Sequence, residues 1–103
     1  MTRRPSPFHF TIACHEGRWT VYPSGDFDLA RRSAIANLAE VLVSCQLSDI
    51  TLDLSQVTFI DTAGYECIYR AVATIEASGA EARVVNPSPA VTRLERALQL
   101  VAS

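Results

Sequence analysis

The chain contains no lysine. All nine of its basic residues are arginine, and eleven acids leave a formal charge of −2. Binding to a phosphate backbone needs a surplus of clustered cations, so this balance argues against direct nucleic-acid contact. No apolar run approaches the roughly 18 residues needed to cross a bilayer, and the N-terminal MTRRPSP lacks the apolar core of a secretory signal. The expectation is a soluble cytoplasmic protein with no membrane insertion. Cysteine is scarce as well: Cys14, Cys45 and Cys67 are too few and too scattered for a disulfide framework, and they read as reduced thiols packed in the core. They form no Cys-x-x-Cys pair, and Cys14 and His15, adjacent in an alternating stretch, face opposite ways, so no metal is expected. A glycine-rich phosphate loop is missing. The two histidines, His9 and His15, have no acid at a recognisable catalytic spacing, so neither an enzyme nor a cofactor is expected.

What is present is one domain's worth of chain, 103 residues of which 49% are hydrophobic, enough to bury a core without a second lobe. Residues 1–7, with Arg3, Arg4, Pro5 and Pro7, read as a flexible arm, leaving residues 8–103 as the domain. Phe8, Phe10, Ile12 and Cys14 alternate with polar or small neighbours and predict a strand. A turn at Glu16-Gly17 leads into a second alternating run at Trp19-Thr20-Val21, giving an antiparallel hairpin that Pro23-Ser24-Gly25 ends. Trp19 and Tyr22 read as packing within that hairpin.

Helices are predicted at about 28–45, 62–78 and 88–100. Asp28 is placed to cap the first, with Ile35, Leu38, Val41 and Leu42 on its apolar side and Arg31-Arg32 on its solvated one. In the second, Ile68, Val72 and Ile75 recur at i, i+4 and i+7 before Gly79 stops it. Ser88-Pro89 opens the third, lined by Val91, Leu94, Leu98 and Val101. Between them, Ile50, Leu52 and Leu54 mark one strand and Arg83-Val84-Val85 another, with Ser55-Gln56-Val57-Thr58 as a loop. The order β-β-α-β-α-β-α gives an α/β fold: a small mixed sheet of four to five strands covered by helices.

The stretch Phe59-Ile60-Asp61-Thr62-Ala63-Gly64 stands where chain leaving the sheet enters the second helix. One reading is structural: Asp61 or Thr62 caps the helix by accepting hydrogen bonds from its first free N–H groups. The other makes Thr62 a phosphoacceptor, since a helix N-terminus tolerates the added negative charge.

The run from Leu52 to Gly64 resembles the signature of STAS domains of the anti-sigma factor antagonist family: an apolar strand, an Asp-Leu-Ser-like loop, then Asp-Ser/Thr-small-Gly. Ser24-Gly25-Asp26-Phe27-Asp28 resembles the element before the family's first helix, and the segment from Asn86 to Leu94 resembles the turn into its last helix. The resemblance spans roughly residues 8 to 101 and implies a partner-switching protein. In its unphosphorylated form such a domain binds an anti-sigma factor that is also a serine/threonine kinase, freeing a sigma factor, and phosphorylation at Thr62 would break the complex. It further implies a docking surface of Asp26, Asp28, Asp61, Thr62, Ala63, Gly64, Tyr65 and Glu66, with Gly64 allowing close approach by the partner, on a monomer or weak dimer. Tyr65-Glu66 replaces the leucine usual after the motif glycine, and Ala63 leaves Thr62 as the motif's only hydroxyl. The resemblance also admits an alternative: a constitutive accessory subunit of a lipid or anion transport ATPase, never phosphorylated.

Overall fold

The computed structural model describes residues 7–102, so all of the expected N-terminal arm except Pro7 lies outside the described residues. The chain runs β1 (His9–His15), β2 (Arg18–Phe27), a 3-10 turn (Leu29–Arg31), α1 (Arg32–Ser44), β3 (Asp49–Asp53), β4 (Val57–Ile60), α2 (Thr62–Ala77), β5 (Glu81–Val85) and α3 (Pro89–Ala102). The expected α/β architecture is present, with three helices and a five-stranded mixed sheet.

β1 and β2 form an antiparallel hairpin whose two-residue turn, Glu16-Gly17, has positive φ at both positions, 50° and 78°. That geometry matches the twist of paired strands. β2 is longer than its alternation suggests and passes through Pro23-Ser24-Gly25 to Phe27. It can do so because it changes neighbours on the way. Trp19–Val21 pair in parallel with Ile50–Leu52 of β3, and Gly25–Phe27 pair in parallel with Val57–Ile60 of β4. Pro23 falls in the step between the two ladders, where its missing N–H removes no β3 or β4 bond.

β4 is an element beyond the expected order. Its residues read as a loop and a helix approach because they do not alternate: Val57 and Ile60 are buried while Thr58 and Phe59 between them are exposed. A register shift against Gly25/Asp26 breaks the two-residue period. Side chains reinforce the pairing: Thr58 Oγ1 donates to Asp26 Oδ1 at 2.7 Å, and Ser24 Oγ donates to Gln56 Oε1 at 2.7 Å. β1 and β5 end the path β1-β2-β3-β5, with β5 parallel to β3, and β4 joins the sheet through β2 alone.

The helices bury the centres of the stripes their spacing predicts. Ile35, Ala39 and Leu42 of α1, Ile68, Ala71 and Ile75 of α2, and Val91 of α3 join Val21, Phe27, Ile50, Leu52 and Leu54 in one core. Leu38, Val72, Leu94 and Leu98 are only half-buried. Val41 is 55% exposed, because six residues on from Ile35 is about 240° round a helix. Val101, in the last turn of α3, is exposed too. The cysteines also depart from expectation: Cys14 and Cys45 are exposed, at a strand edge and at the C-cap of α1, and only Cys67 packs partly against the core. Ser88 caps α3 as expected, its Oγ accepting from the Val91 N–H at 3.3 Å.

Ile68 has no exposed surface, so Ile68→Ala should lower the unfolding free energy by about 2–5 kcal/mol in chemical denaturation. A loss near zero would mean that α2 does not seat against the sheet through this side chain.

Candidate functional site

Two chain ends meet above the C-terminal edge of β2 and β4. Asp28 leaves β2 in extended conformation, and its Oδ1 accepts from the Ala30 N–H at 3.1 Å, opening the 3-10 turn that leads into α1. Asp61 leaves β4 in the same way and caps α2, its Oδ1 accepting from the Gly64 N–H at 2.8 Å. The other oxygen of Asp61 accepts from the Leu29 N–H at 3.2 Å, and its own N–H donates to the Phe27 carbonyl at 3.3 Å. One carboxylate thus holds the start of α2 against the turn before α1.

The cap is therefore Asp61, which frees Thr62 from that duty. Thr62 is the first residue of α2 and is exposed. Ala63 and Tyr65 beside it are half-buried, and Glu66 is exposed. Leu29, 53% exposed, flanks the same corner and gave no sign of it in sequence. Tyr65 leans towards α3, its Oη donating to Glu95 Oε2 at 3.3 Å, while its ring lies 4.9 Å from that of Tyr69, itself 44% exposed. Burial, then Tyr69 and the Glu95 carboxylate, push the Tyr65 phenol well above its ordinary value, so it stays a neutral donor.

Two residues expected on the docking surface lie beneath it. Asp26 is buried, 7% exposed, and is committed to the Thr58 hydroxyl within the β2–β4 ladder. Gly64 is buried against the chain itself, not held open for a partner: a Cβ there would run into the ring and the carbonyl oxygen of Phe27. Phe27, fully buried, is the residue that sequence reasoning missed, its only sign being an apolar ring between Asp26 and Asp28. Asp28, Asp61, Thr62, Ala63, Tyr65 and Glu66 remain at or near the surface.

The adjoining loops are held by Asp53. Its Oδ1 accepts from the Ser55 N–H and its Oδ2 from Asn86 Nδ2, each at 2.9 Å, which joins the end of β3 to the turn after β5. Burial raises the pKa of this carboxyl, but the hydrogen bonds from Ser55 and Asn86 outweigh it and hold the group below its ordinary 3.8. Among the described residues no cluster of three or more His, Cys, Asp or Glu side chains is arranged to hold a metal, and no helix is long and apolar enough to cross a membrane.

The corner thus sets an exposed threonine directly after a capping aspartate, above a small mixed sheet. The family profile of the STAS domain matches residues 9–103, and the chain belongs to the STAS-domain family. Curated protein sequences give no match. Among solved structures, an anti-sigma factor antagonist from Mycobacterium paratuberculosis superposes with a TM-score of 0.77 at 21% identity, covering 98% of this chain and 86% of that one. The Bacillus antagonist SpoIIAA, solved in unphosphorylated and phosphorylated forms, gives 0.63 and 0.62 at 15% and 16% identity, covering 94% and 91% of this chain and 99% and 86% of SpoIIAA. Longer chains share the fold over part of their length. This chain spans 20% of Mglu (TM-score 0.67, 20% identity, 77% of this chain) and 14% of the murine anion transporter Slc26a9 (0.60, 18%, 78%). At these identities the likeness is one of fold.

Gly64→Ala tests the close approach to Phe27. Alanine gains about 1 kcal/mol in helix propensity, but the carbonyl it meets is backbone and cannot turn aside, so overpacking of about 1–3 kcal/mol should prevail and the variant should unfold at lower denaturant. A stabilised variant would show that α2 can lift off Phe27 freely.

Because the folded carboxyl of Asp53 titrates below its unfolded value, its contribution to stability is complete above about pH 4 and is lost as pH falls through the folded pKa. The stability gap between the parent and Asp53→Asn should therefore be largest near neutrality and narrow in acid. A gap independent of pH would mean that Asp53 contributes by shape alone.

Proposed function

We propose that this chain is an anti-sigma factor antagonist controlled at Thr62. In the unphosphorylated state the corner formed by Asp28, Leu29, Asp61, Thr62, Ala63, Tyr65 and Glu66 docks on an anti-sigma factor that has serine/threonine kinase activity, and a sigma factor is released. Transfer of a phosphoryl group to the Thr62 hydroxyl ends the complex. Such a protein acts in the cytoplasm, touches no nucleic acid itself and catalyses nothing; the kinase is its partner.

The observation that carries this reading is the exposure of Thr62 at the first position of α2, with the adjacent Asp61 already engaged in capping. A phosphoryl group there adds about −1.5 to −2 charges at a helix N-terminus, which suits the macrodipole, so the fold survives the modification. The same charge inside a close-packed interface is poorly solvated. Partner release follows from electrostatics at the contact, with no unfolding. Membership of the STAS family and likeness of fold to antagonists, one of them also solved in phosphorylated form, favour this reading over the transport accessory role.

Thr62→Ala should fold, resist phosphorylation and still bind the anti-sigma factor. Thr62→Glu should fold, and binding should weaken by roughly 2 kcal/mol or more, about thirtyfold in Kd. Calorimetric titration of the unmodified, Ala, Glu and kinase-phosphorylated forms checks this. Equal affinity before and after phosphorylation, or phosphate found only at another residue such as Ser55, would move the assignment to the constitutive accessory subunit.

A further inference from the structure

β1 is an edge strand: among the described residues it pairs with β2 on one side and with no strand on the other. Natural edges are usually guarded by charge, proline or a bulge. The opposite edge, β5, follows that rule, carrying Glu81 and Arg83, whose guanidinium also reaches Asp49 at 3.4 Å. β1 does not. From Phe8 to His15 there is no Asp, Glu, Lys, Arg or Pro, and its register with β2 is unbroken from His9↔Ser24 to His15↔Arg18.

The hairpin turn determines which backbone groups are left over. A two-residue turn brings its flanking residues, His15 and Arg18, into a hydrogen-bonded pair, so His9, Thr11, Ala13 and His15 direct their N–H and C=O groups to β2. Phe10, Ile12 and Cys14 then direct theirs outward. The same residues form one apolar row with Phe8, whose ring lies 4.9 Å from Phe10 and 4.9 Å from Phe27. At the far end of the row Ile12 is 45% exposed, and Cys14 is exposed.

We propose that β1 is a self-docking edge, through which two copies of this chain pair antiparallel about a two-fold axis at Ile12. This register brings all three outward-facing residues into use at once: Ile12 faces Ile12 of the second copy, and Phe10 faces its Cys14 and the reverse. Each hydrogen-bonded pair exchanges two N–H···O bonds, and the apolar row continues across the axis. From Phe8 to His15 the strand carries no acid, lysine or arginine to repel its copy, and in this register His9 comes opposite His15 of the second copy and Glu16 opposite its Phe8. One strand pair is a small interface, so the dimer is weak and concentration-dependent. It uses no residue of the Thr62 corner and does not depend on the partner-switching reading.

Sedimentation equilibrium on the full chain, up to about 1 mM, should fit a monomer–dimer equilibrium. Ile12→Lys sets two like charges opposite each other at the axis and should raise the dimer Kd at least about tenfold while leaving circular dichroism unchanged. The register is tested separately, whether or not that variant folds. With Cys14, Cys45 and Cys67 replaced by Ala, Ile12→Cys should give a covalent dimer on mild oxidation, and Val41→Cys, exposed on α1, should not. A monomer throughout the range, an undiminished dimer in folded Ile12→Lys, or equal cross-linking at both positions would overturn the proposal.

Discussion

The contact of Gly64 with Phe27 sets the geometry of everything at the working end of this domain. α2 can descend onto the end of β2 only because position 64 has no side chain, and the descent brings Asp61 within reach of two segments at once, its own helix and the turn before α1. Thr62 is thereby lifted to the surface with its backbone held. A larger residue at 64 would tilt the helix start and move the hydroxyl with it. Packing below and presentation above are one constraint.

The sheet contributes the second half of that geometry. β2 serves three neighbours in turn, β1 along most of its length, then β3, then β4, and the change from β3 to β4 occurs across Pro23 and Gly25. Gly25 has φ +93°, and a Cβ there would collide with the Pro7 carbonyl, so this bend is closed to other residues. The bend lets the last residues of β2 pair with β4, the strand that feeds α2. The buried Asp26 and Ser24 tie that ladder from the side, which is why an acid in the apparent docking motif turns inward.

Much of this was legible in the sequence, where a period was intact. The alternation of Ile50, Leu52 and Leu54, the spacing of Ile68 and Ile75, and the capping signals Asp28 and Ser88-Pro89 correspond to observed elements. β4 escaped because its bulge destroys the alternation on which a strand assignment depends. The depth of Asp26 and Gly64 escaped for another reason. A glycine at a helix start satisfies a partner's approach and a core's approach equally well, and only the placement of Phe27 beneath it distinguishes them. The exposed Cys14 and Cys45 show the converse: a residue type that usually packs inside stays outside when its place is a strand edge or a helix end.

The Asp61–Leu29 hydrogen bond spans 32 positions of chain. Local helix formation cannot supply it, because it closes a loop of that length and needs the ends of β2 and β4 side by side. The shape around Thr62 is thus a tertiary product of the whole fold. Any molecule that recognises this corner by its shape therefore reads the assembled domain, and a short peptide of the same sequence does not present that surface.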